Sequence, residues 1–256
     1  MILTDIIKNK KVEVELLKKS FKSPISGLAG LPKTRDLISS ISGNGIRLIA
    51  EVKAASPSAG DLVADYDPVK IAKKYEKAGA SAISVLTDKK YFKGSIGHLS
   101  KVRSAVSLPI LRKDFIIDAS QIYESRLAGA DAILLIARIL RPDQLKNFID
   151  TANDLGMGSL VEVHSVHDAR IAIEAGAIMI GINNRDLDTL KVDLSTTAEI
   201  VNALPKLKEK VLVSESGIKN RKDIDMLKCF GINAVLIGEA ILISPDIGNK
   251  IRDLIS

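Results

Sequence analysis

The sequence predicts an α/β fold, a single closed (βα)8 barrel with an amino-terminal helical extension, on three observations. Eight short apolar runs alternate with longer helical patterns, a glycine phrase recurs four times, and polar residues collect at the carboxyl ends of the runs. The 256 residues are read as one domain, of which 1–45 form the extension. Barrels of this kind commonly occupy roughly 250 residues.

In chain order, Thr4-Asp5 to Lys19 reads as a helix and Ser23-Pro-Ile-Ser-Gly27 as a Ser/Gly/Pro-rich connection, together expected to cover one end of the barrel. The apolar runs are Arg47–Val52, Ala82–Leu86, Pro109–Arg112, Ala132–Ile136, Ser159–Val163, Ile178–Ile182, Lys210–Ser214 and Ala234–Ile237. The spacing between them leaves room each time for one helix and two loops, as right-handed crossovers between parallel strands require. Near-continuous apolar character is what strands covered on both faces carry. Asp67-Pro68 and Arg141-Pro142 open helices with proline in the first turn, and Gly79, Gly129 and Gly176 stand where helices should stop. Those glycines and Gly231 belong to one phrase (Lys77-Ala-Gly-Ala-Ser-Ala-Ile83, Leu127-Ala-Gly-Ala-Asp-Ala-Ile133, Glu174-Ala-Gly-Ala-Ile178, Cys229-Phe-Gly-Ile-Asn-Ala-Val235), each copy leading into an even-numbered run. Four (βα)2 units close a barrel of the TIM type. An open doubly wound sheet shares the alternation, but no GxGxxG follows the first run.

Composition narrows the function. The chain is 46% hydrophobic, 27% charged and 4% aromatic, with one cysteine and no tryptophan. Those values exclude a disordered or collagen-like chain, and a lone Cys229 excludes an internal disulfide or a cysteine-rich metal site. Cys229 reads as a small buried hydrophobe. The 37 Lys and Arg against 31 Asp and Glu give +6, yet the lysines are interleaved with acids, as at Lys10-Lys11 beside Glu13 and Glu15. That pattern reads as solvated surface, and with few aromatics to stack on bases we expect no nucleic-acid partner. No apolar run reaches about 18 residues, so no membrane partner is expected. The amino terminus does not read as a signal peptide, and a cytoplasmic location is expected.

Active sites in such barrels lie at the carboxyl ends of the strands. Polar residues in and just after the runs are Glu51 and Lys53 at the end of run one, Arg112, Lys113 and Asp114 at the end of run three, Glu162 in run five, Asn183, Asn184 and Arg185 after run six, and Ser214, Glu215 and Ser216 at the end of run seven. Glu51 and Lys53, two apart, should point the same way. Two lysines and at least two glutamates at one mouth form an acid–base collection suited to proton transfer. Any single one of them could equally be a solvated rim charge. Turns at Ser216-Gly217 and Gly238-Glu239 follow runs seven and eight, where barrels frequently bind phosphate. The loop Ala54–Gly60 has the small, turn-forming residues of a mobile substrate loop, and Tyr91-Phe92 puts an aromatic at the mouth. His164 and His167 lack a third ligand and read as surface or capping residues, and His98 as a helix residue, so no metal is expected.

Seven phrases then resemble one family. Ile49-Ala-Glu-Val-Lys-Ala-Ala-Ser-Pro-Ser58, Thr87-Asp-Lys-Lys-Tyr-Phe-Lys-Gly-Ser95, Leu111-Arg-Lys-Asp-Phe115, Leu160-Val-Glu-Val-His164, Gly181-Ile-Asn-Asn-Arg-Asp-Leu187, Ser214-Glu-Ser-Gly217 and Ile237-Gly-Glu-Ala240 resemble indole-3-glycerol phosphate synthase of tryptophan biosynthesis, in order and over nearly the whole chain. The resemblance implies ring closure, decarboxylation and dehydration of 1-(2-carboxyphenylamino)-1-deoxyribulose 5-phosphate, without cofactor or metal. It also implies a catalytic set of Lys113, Glu162, Lys53, Glu51 and Asn183. Lys113 matches the general acid for ring closure, and Glu162 a group in the proton transfers that stabilises positive charge on the anilino system. Lys53 would steer the carboxylate or serve the later dehydration, with Glu51 orienting the lysines. Substrate contacts fall to Ser56, Phe92, Arg185, Leu187, Glu215 and Leu236, and phosphate contacts to Ser216, Gly217, Gly238 and Glu239. The sole partner expected is a phosphorylated small molecule, and a monomer is expected. Ala54 and Ala59 stand where many members carry further lysines. The alternatives are a sister phosphate-binding barrel such as phosphoribosylanthranilate isomerase, which lacks the Glu-x-Lys and Leu-Arg-Lys-Asp-Phe combination, and a non-catalytic phosphate-ligand binding protein.

Overall fold

Eight parallel strands close into a barrel in which every strand pairs with its neighbours in sequence and the last pairs with the first. They are β1 (Arg47–Val52), β2 (Ala82–Leu86), β3 (Ile110–Lys113), β4 (Ala132–Ile136), β5 (Gly158–Val163), β6 (Met179–Asn183), β7 (Val211–Glu215) and β8 (Ala234–Ile237). This is the (βα)8 barrel expected from the alternation. The computed structural model describes residues 2–20, 27–28, 30–63 and 65–255. The connection expected at 23–27 falls, apart from Gly27, outside the described residues.

Side chains alternate between the two faces of each strand with period two. Leu48, Ala50 and Val52 of β1, Ile133 and Leu135 of β4, and Val161 and Val163 of β5 face outward into the layer between sheet and helices. The intervening Ile49, Leu134 and Leu160 fill the barrel interior. The same parity turns Glu51, Lys113, Glu162, Asn183 and Glu215 inward at the carboxyl ends of their strands. Arg112 has the opposite parity. It is buried outside the barrel, donating to Gln121 O and Ser125 Oγ at 3.0 Å, so it belongs to the wall and not to the mouth.

The helices after the strands are α3 (Pro68–Lys77), α5 (Ile96–Ala105), α6 (Ala119–Ala128), α7 (Pro142–Asp154), α8 (Val166–Glu174), α9 (Ser195–Ala203), α10 (Arg221–Lys228) and, beyond the short α11 (Glu239–Leu242), α12 (Ile247–Ile255). Their ends follow the punctuation in the sequence. Asp67 accepts from Val69 N and Lys70 N at 2.9 and 3.0 Å ahead of Pro68, and the four repeat glycines have φ between +74° and +101°, the left-handed conformation that ends a helix. His98 lies in α5 as expected. Cys229 is exposed rather than buried. It lies two residues beyond Leu227, on the opposite side of the last turn of α10 from the side chains that face the sheet, and this geometry overturns the reading of a core thiol.

Two further helices, α1 (Ile2–Ser20) and α2 (Leu37–Ile41), precede the first strand. Ile2, Leu3 and Ile6 of α1 lie at the mouth. Lys10 is buried and pairs with Asp88 at 2.9 Å and Asp114 at 2.8 Å, so it is not the solvated surface lysine that its interleaving with acids indicated. Residues 32–35 run past the opposite end of the barrel. There Arg126 donates to Pro32 O at 2.7 Å, and the Arg35 side chain and backbone N donate to Leu108 O and Asp131 Oδ1. Leu37 and Ile41 of α2 then enter the interior apolar cluster at that end.

Candidate active site

Every residue of the catalytic, substrate and phosphate sets implied by the resemblance lines one cavity of about 960 Å³ at the carboxyl ends of the strands, whereas Arg112, Asn184 and Ser214 lie behind its wall. That volume and position are usual for a small-molecule site. Its apolar wall comes from Ile6, Phe92, Phe115, Leu134, Leu187 and Leu236, which belong to one cluster. The rings of Phe92 and Phe115 lie 6.2 Å apart. Phe92 closes the short helix α4 (Lys89–Phe92), capped by Asp88 through Tyr91 N at 2.9 Å. Gly94 holds that turn down, because a Cβ there would lie 2.4 Å from Leu86 O.

Opposite this wall stand two lysines, each on a carboxylate. Lys53 Nζ is 2.8 Å from Glu51 Oε1, the shared direction expected for residues two apart. Lys113 Nζ lies 2.9 Å from Glu162 Oε2 and 3.5 Å from Glu215 Oε2. Burial alone would lower the Lys113 pKa. The negative fields of Glu162, Glu215 and Glu51 outweigh it and hold the amine firmly as an ammonium. Glu162 is pushed up by burial but pulled further down by Lys113 and His164, so it stays ionised. Glu215 goes the other way: burial, with the nearby Glu162 and Glu51 charges added, outweighs Lys113 and raises its pKa to about 8. Two carboxylates on one cation are thus pushed in opposite directions, the kind of division that assigns acid and base roles. The Glu215 carboxyl packs over Gly181, where a Cβ would lie 2.2 Å from Oε1.

The backbone beside Lys113 is braced by buried charge. Asp114 accepts from Thr87 Oγ1 at 2.5 Å, Phe115 N at 2.8 Å and Arg112 at 3.1 Å, and pairs with Lys10. Burial would raise its pKa, but Arg112, Lys10 and these hydrogen bonds lower it to about 2. On the far side Asn184 Nδ2 donates to Ser214 Oγ, Glu215 O and Ser216 O at 2.9–3.2 Å, tying the β6 loop to the end of β7. Asn183 Oδ1 accepts from Arg185 N at 3.0 Å, and the Arg185 guanidinium donates to Leu190 O and lies 3.9 Å from Glu239.

The glycine turns are built differently from one another. Ser216 and Gly217 are both left-handed, at φ +65° and +84°, and a Cβ on Gly217 would meet Val192 at 2.5 Å. Gly238 instead has φ −121° and needs glycine for space, since a Cβ would lie 2.7 Å from Glu51 Oε1. The Glu239 side chain turns toward Arg185, so only its backbone N–H is suited to an anion. The loop after β1 folds as a hairpin of Ala55–Ser56 with Gly60–Asp61, in which Ser56 Oγ accepts from Ala59 N at 3.2 Å. Lys93 joins Asp61 at 2.6 Å, linking hairpin and α4 turn.

Three features escaped the sequence reading. Phe115 shares the inward direction of Lys113 two residues before it, a signal that was present. The α1 side chains had no such signal, because nothing local says which end of the barrel a leading helix covers. The His164 side chain, read as a surface or capping residue, is buried against Glu162 instead, with Nε2 3.2 Å from Glu162 Oε1. Its parity with Glu162 on β5 is the reason. His167 is exposed.

Comparison with known proteins agrees with the seven phrases. Residues 3–254 match the family described as Indole-3-glycerol phosphate synthase. Relatives of that name from Acetivibrio thermocellus and Endomicrobium trichonymphae are each 48% identical; the first covers 99% of this chain and 98% of its own length, the second 99% of both. Among solved structures, a thiamine phosphate pyrophosphorylase from Pyrococcus furiosus aligns with TM-score 0.62 at 15% identity, over 86% of this chain and 96% of its own. That likeness concerns the fold alone. The family match and these identities over nearly full length establish that the chain belongs to the indole-3-glycerol phosphate synthase family.

Proposed function

We propose that this protein converts 1-(2-carboxyphenylamino)-1-deoxyribulose 5-phosphate to indole-3-glycerol phosphate, carbon dioxide and water, as a decarboxylating lyase of tryptophan biosynthesis. The observation that carries the assignment of roles is the Lys113 ammonium held between Glu162 at 2.9 Å and Glu215 at 3.5 Å, in one cavity with an apolar wall.

Ring closure joins the aromatic carbon bearing the carboxylate to C2 of the ribulose chain, and the C2 oxygen must gain a proton. A lysine stabilised as ammonium releases its proton only to a stronger base. The alkoxide developing at C2 is such a base, so Lys113 acts as the acid of this step. Ionised Glu162 balances the positive charge that appears on the anilino nitrogen. Carbon dioxide then leaves the ring carbon, returning its electron pair to the ring system. The C2 hydroxyl departs as water with one added proton, and a C1 proton is lost to complete the indole. One carbon–carbon bond forms, one carbon–carbon and one carbon–oxygen bond break, and the rest is proton transfer, with no net oxidation, so the balance calls for no cofactor.

Lys53 faces the same space, oriented by Glu51, and attracts the substrate carboxylate or serves the dehydration. The Tyr75 hydroxyl supports this pair by donating to Glu51 O at 3.1 Å. Glu215, protonated at neutral pH, donates a hydrogen bond to the ribulose portion. Asn183 and Arg185 contact substrate, Arg185 as a carboxylate partner. The anthranilate ring lies against Phe92, Leu187 and Leu236. The phosphate is taken by the turns at Ser216-Gly217 and Gly238-Glu239 with Ser56 of the hairpin, where glycine lets backbone N–H groups approach. The active unit is a monomer in this reading, with residues 1–256 acting as one domain. Among the described residues no helix is long and apolar enough to cross a membrane, in keeping with work in the cytoplasm on a small anionic substrate.

The test is direct turnover. Purified protein given the carboxyphenylamino-deoxyribulose phosphate should develop indole fluorescence as it releases carbon dioxide. Bound ligand without product would contradict the assignment and favour a non-catalytic phosphate-ligand binding protein.

A further inference from the structure

Glu162 meets Lys113 through Oε2 only. Its other oxygen, Oε1, lies 3.2 Å from His164 Nε2. The two residues share the inward direction of β5, and the histidine side chain is only 5% exposed. Its backbone is held as well, because His164 N donates to Asp168 Oδ2 at 3.0 Å in the first turn of α8. Yet neither ring nitrogen makes an aligned hydrogen bond, and both are buried. A buried imidazole without aligned partners costs stability that an apolar side chain of similar size would avoid, so packing alone does not account for a histidine here. Nor does metal binding, since the described residues contain no group of three side chains able to hold an ion.

We infer that His164 is a positioning residue for Glu162: by donating from Nε2 to Oε1 it holds the carboxylate so that Oε2 stays against the Lys113 ammonium. A small rotation of the ring aligns the bond, as catalytic contacts commonly tighten when substrate binds. Without this donor, Glu162 is free to turn about its last torsion, and both its grip on Lys113 and its stabilisation of the anilino cation are lost in part. The inference rests on the roles given above to Glu162 and Lys113.

The experiment compares the wild-type chain with His164→Leu and His164→Gln in kcat, KM and melting temperature. His164→Leu should lower kcat by about tenfold or more, the scale expected when a catalytic group is misplaced, with KM within about twofold and a melting temperature unchanged or raised. His164→Gln, whose amide N–H can stand where Nε2 does, should recover most of kcat. A Leu variant with wild-type kcat would overturn the inference, as would a loss that Gln does not recover or one that tracks a fall in melting temperature. These results leave the assigned reaction intact provided the wild-type chain turns over. No turnover by the wild-type chain would overturn both.

Discussion

Glu215 carries its cost in its own titration. Its pKa is about 8 in the folded protein against an ordinary 4.5, so between those values the folded state keeps a proton that the unfolded chain has released. Stability therefore falls as pH rises from about 4.5 to 8 and levels off above, the opposite of the usual carboxylate behaviour. Glu215→Gln, which keeps a neutral hydrogen-bonding group, should lose this slope. Its melting temperature should gain on the wild type steadily between pH 5 and 8.5, and a constant difference across that range would mean that Glu215 is ionised in the fold. Gly238 makes a second case at this scale. A methyl group there presses on Glu51, which orients Lys53, so Gly238→Ala should lower kcat by up to about 10²-fold. A change confined to KM would place the effect at the phosphate alone.

Among the elements, the strands and the helix α1 itself were legible, but the placement of α1 was not. Period two on runs such as Ser159–Val163 gives the inward face of Glu162 directly, and the β-strand assignments differ from the sequence reading only by a residue at some ends, as at Lys113, Asn183 and Glu215. The placement of α1 depends instead on Lys10 reaching Asp88 and Asp114, which lie 78 and 104 positions away. No local period carries that information. Lys10→Met should therefore leave buried Asp88 without its cation and Asp114 with Arg112 alone, and cost about 3–5 kcal/mol of stability, the scale of a broken buried ion pair. Because Asp114 adjoins Lys113, kcat should fall as well. Chemical denaturation checks the first effect, and a variant as stable as wild type would show that α1 is held by its apolar face alone.

For the whole molecule, the barrel and the residues of its mouth were readable because closure in sequence order brings every strand end to one place, whatever the helices do. What resisted reading lies at contacts that parity and spacing do not determine: the burial of Lys10, the exposure of Cys229 on the far side of its helix turn, and the space that Gly238 leaves for Glu51. The pairing of Lys113 with both Glu162 and Glu215 belongs to this class too, since β3, β5 and β7 do not pair with one another and inward parity does not say which carboxylates one ammonium reaches. The account stands on that pairing. Its most direct test is kcat of Lys113→Ala beside the wild type on the carboxyphenylamino-deoxyribulose phosphate, with product-analogue affinity measured in parallel. A fall in kcat of about 10² or more is expected, as loss of an acid–base group brings, with affinity largely retained. A variant turning over at the wild-type rate would remove Lys113 from the chemistry and contradict the account.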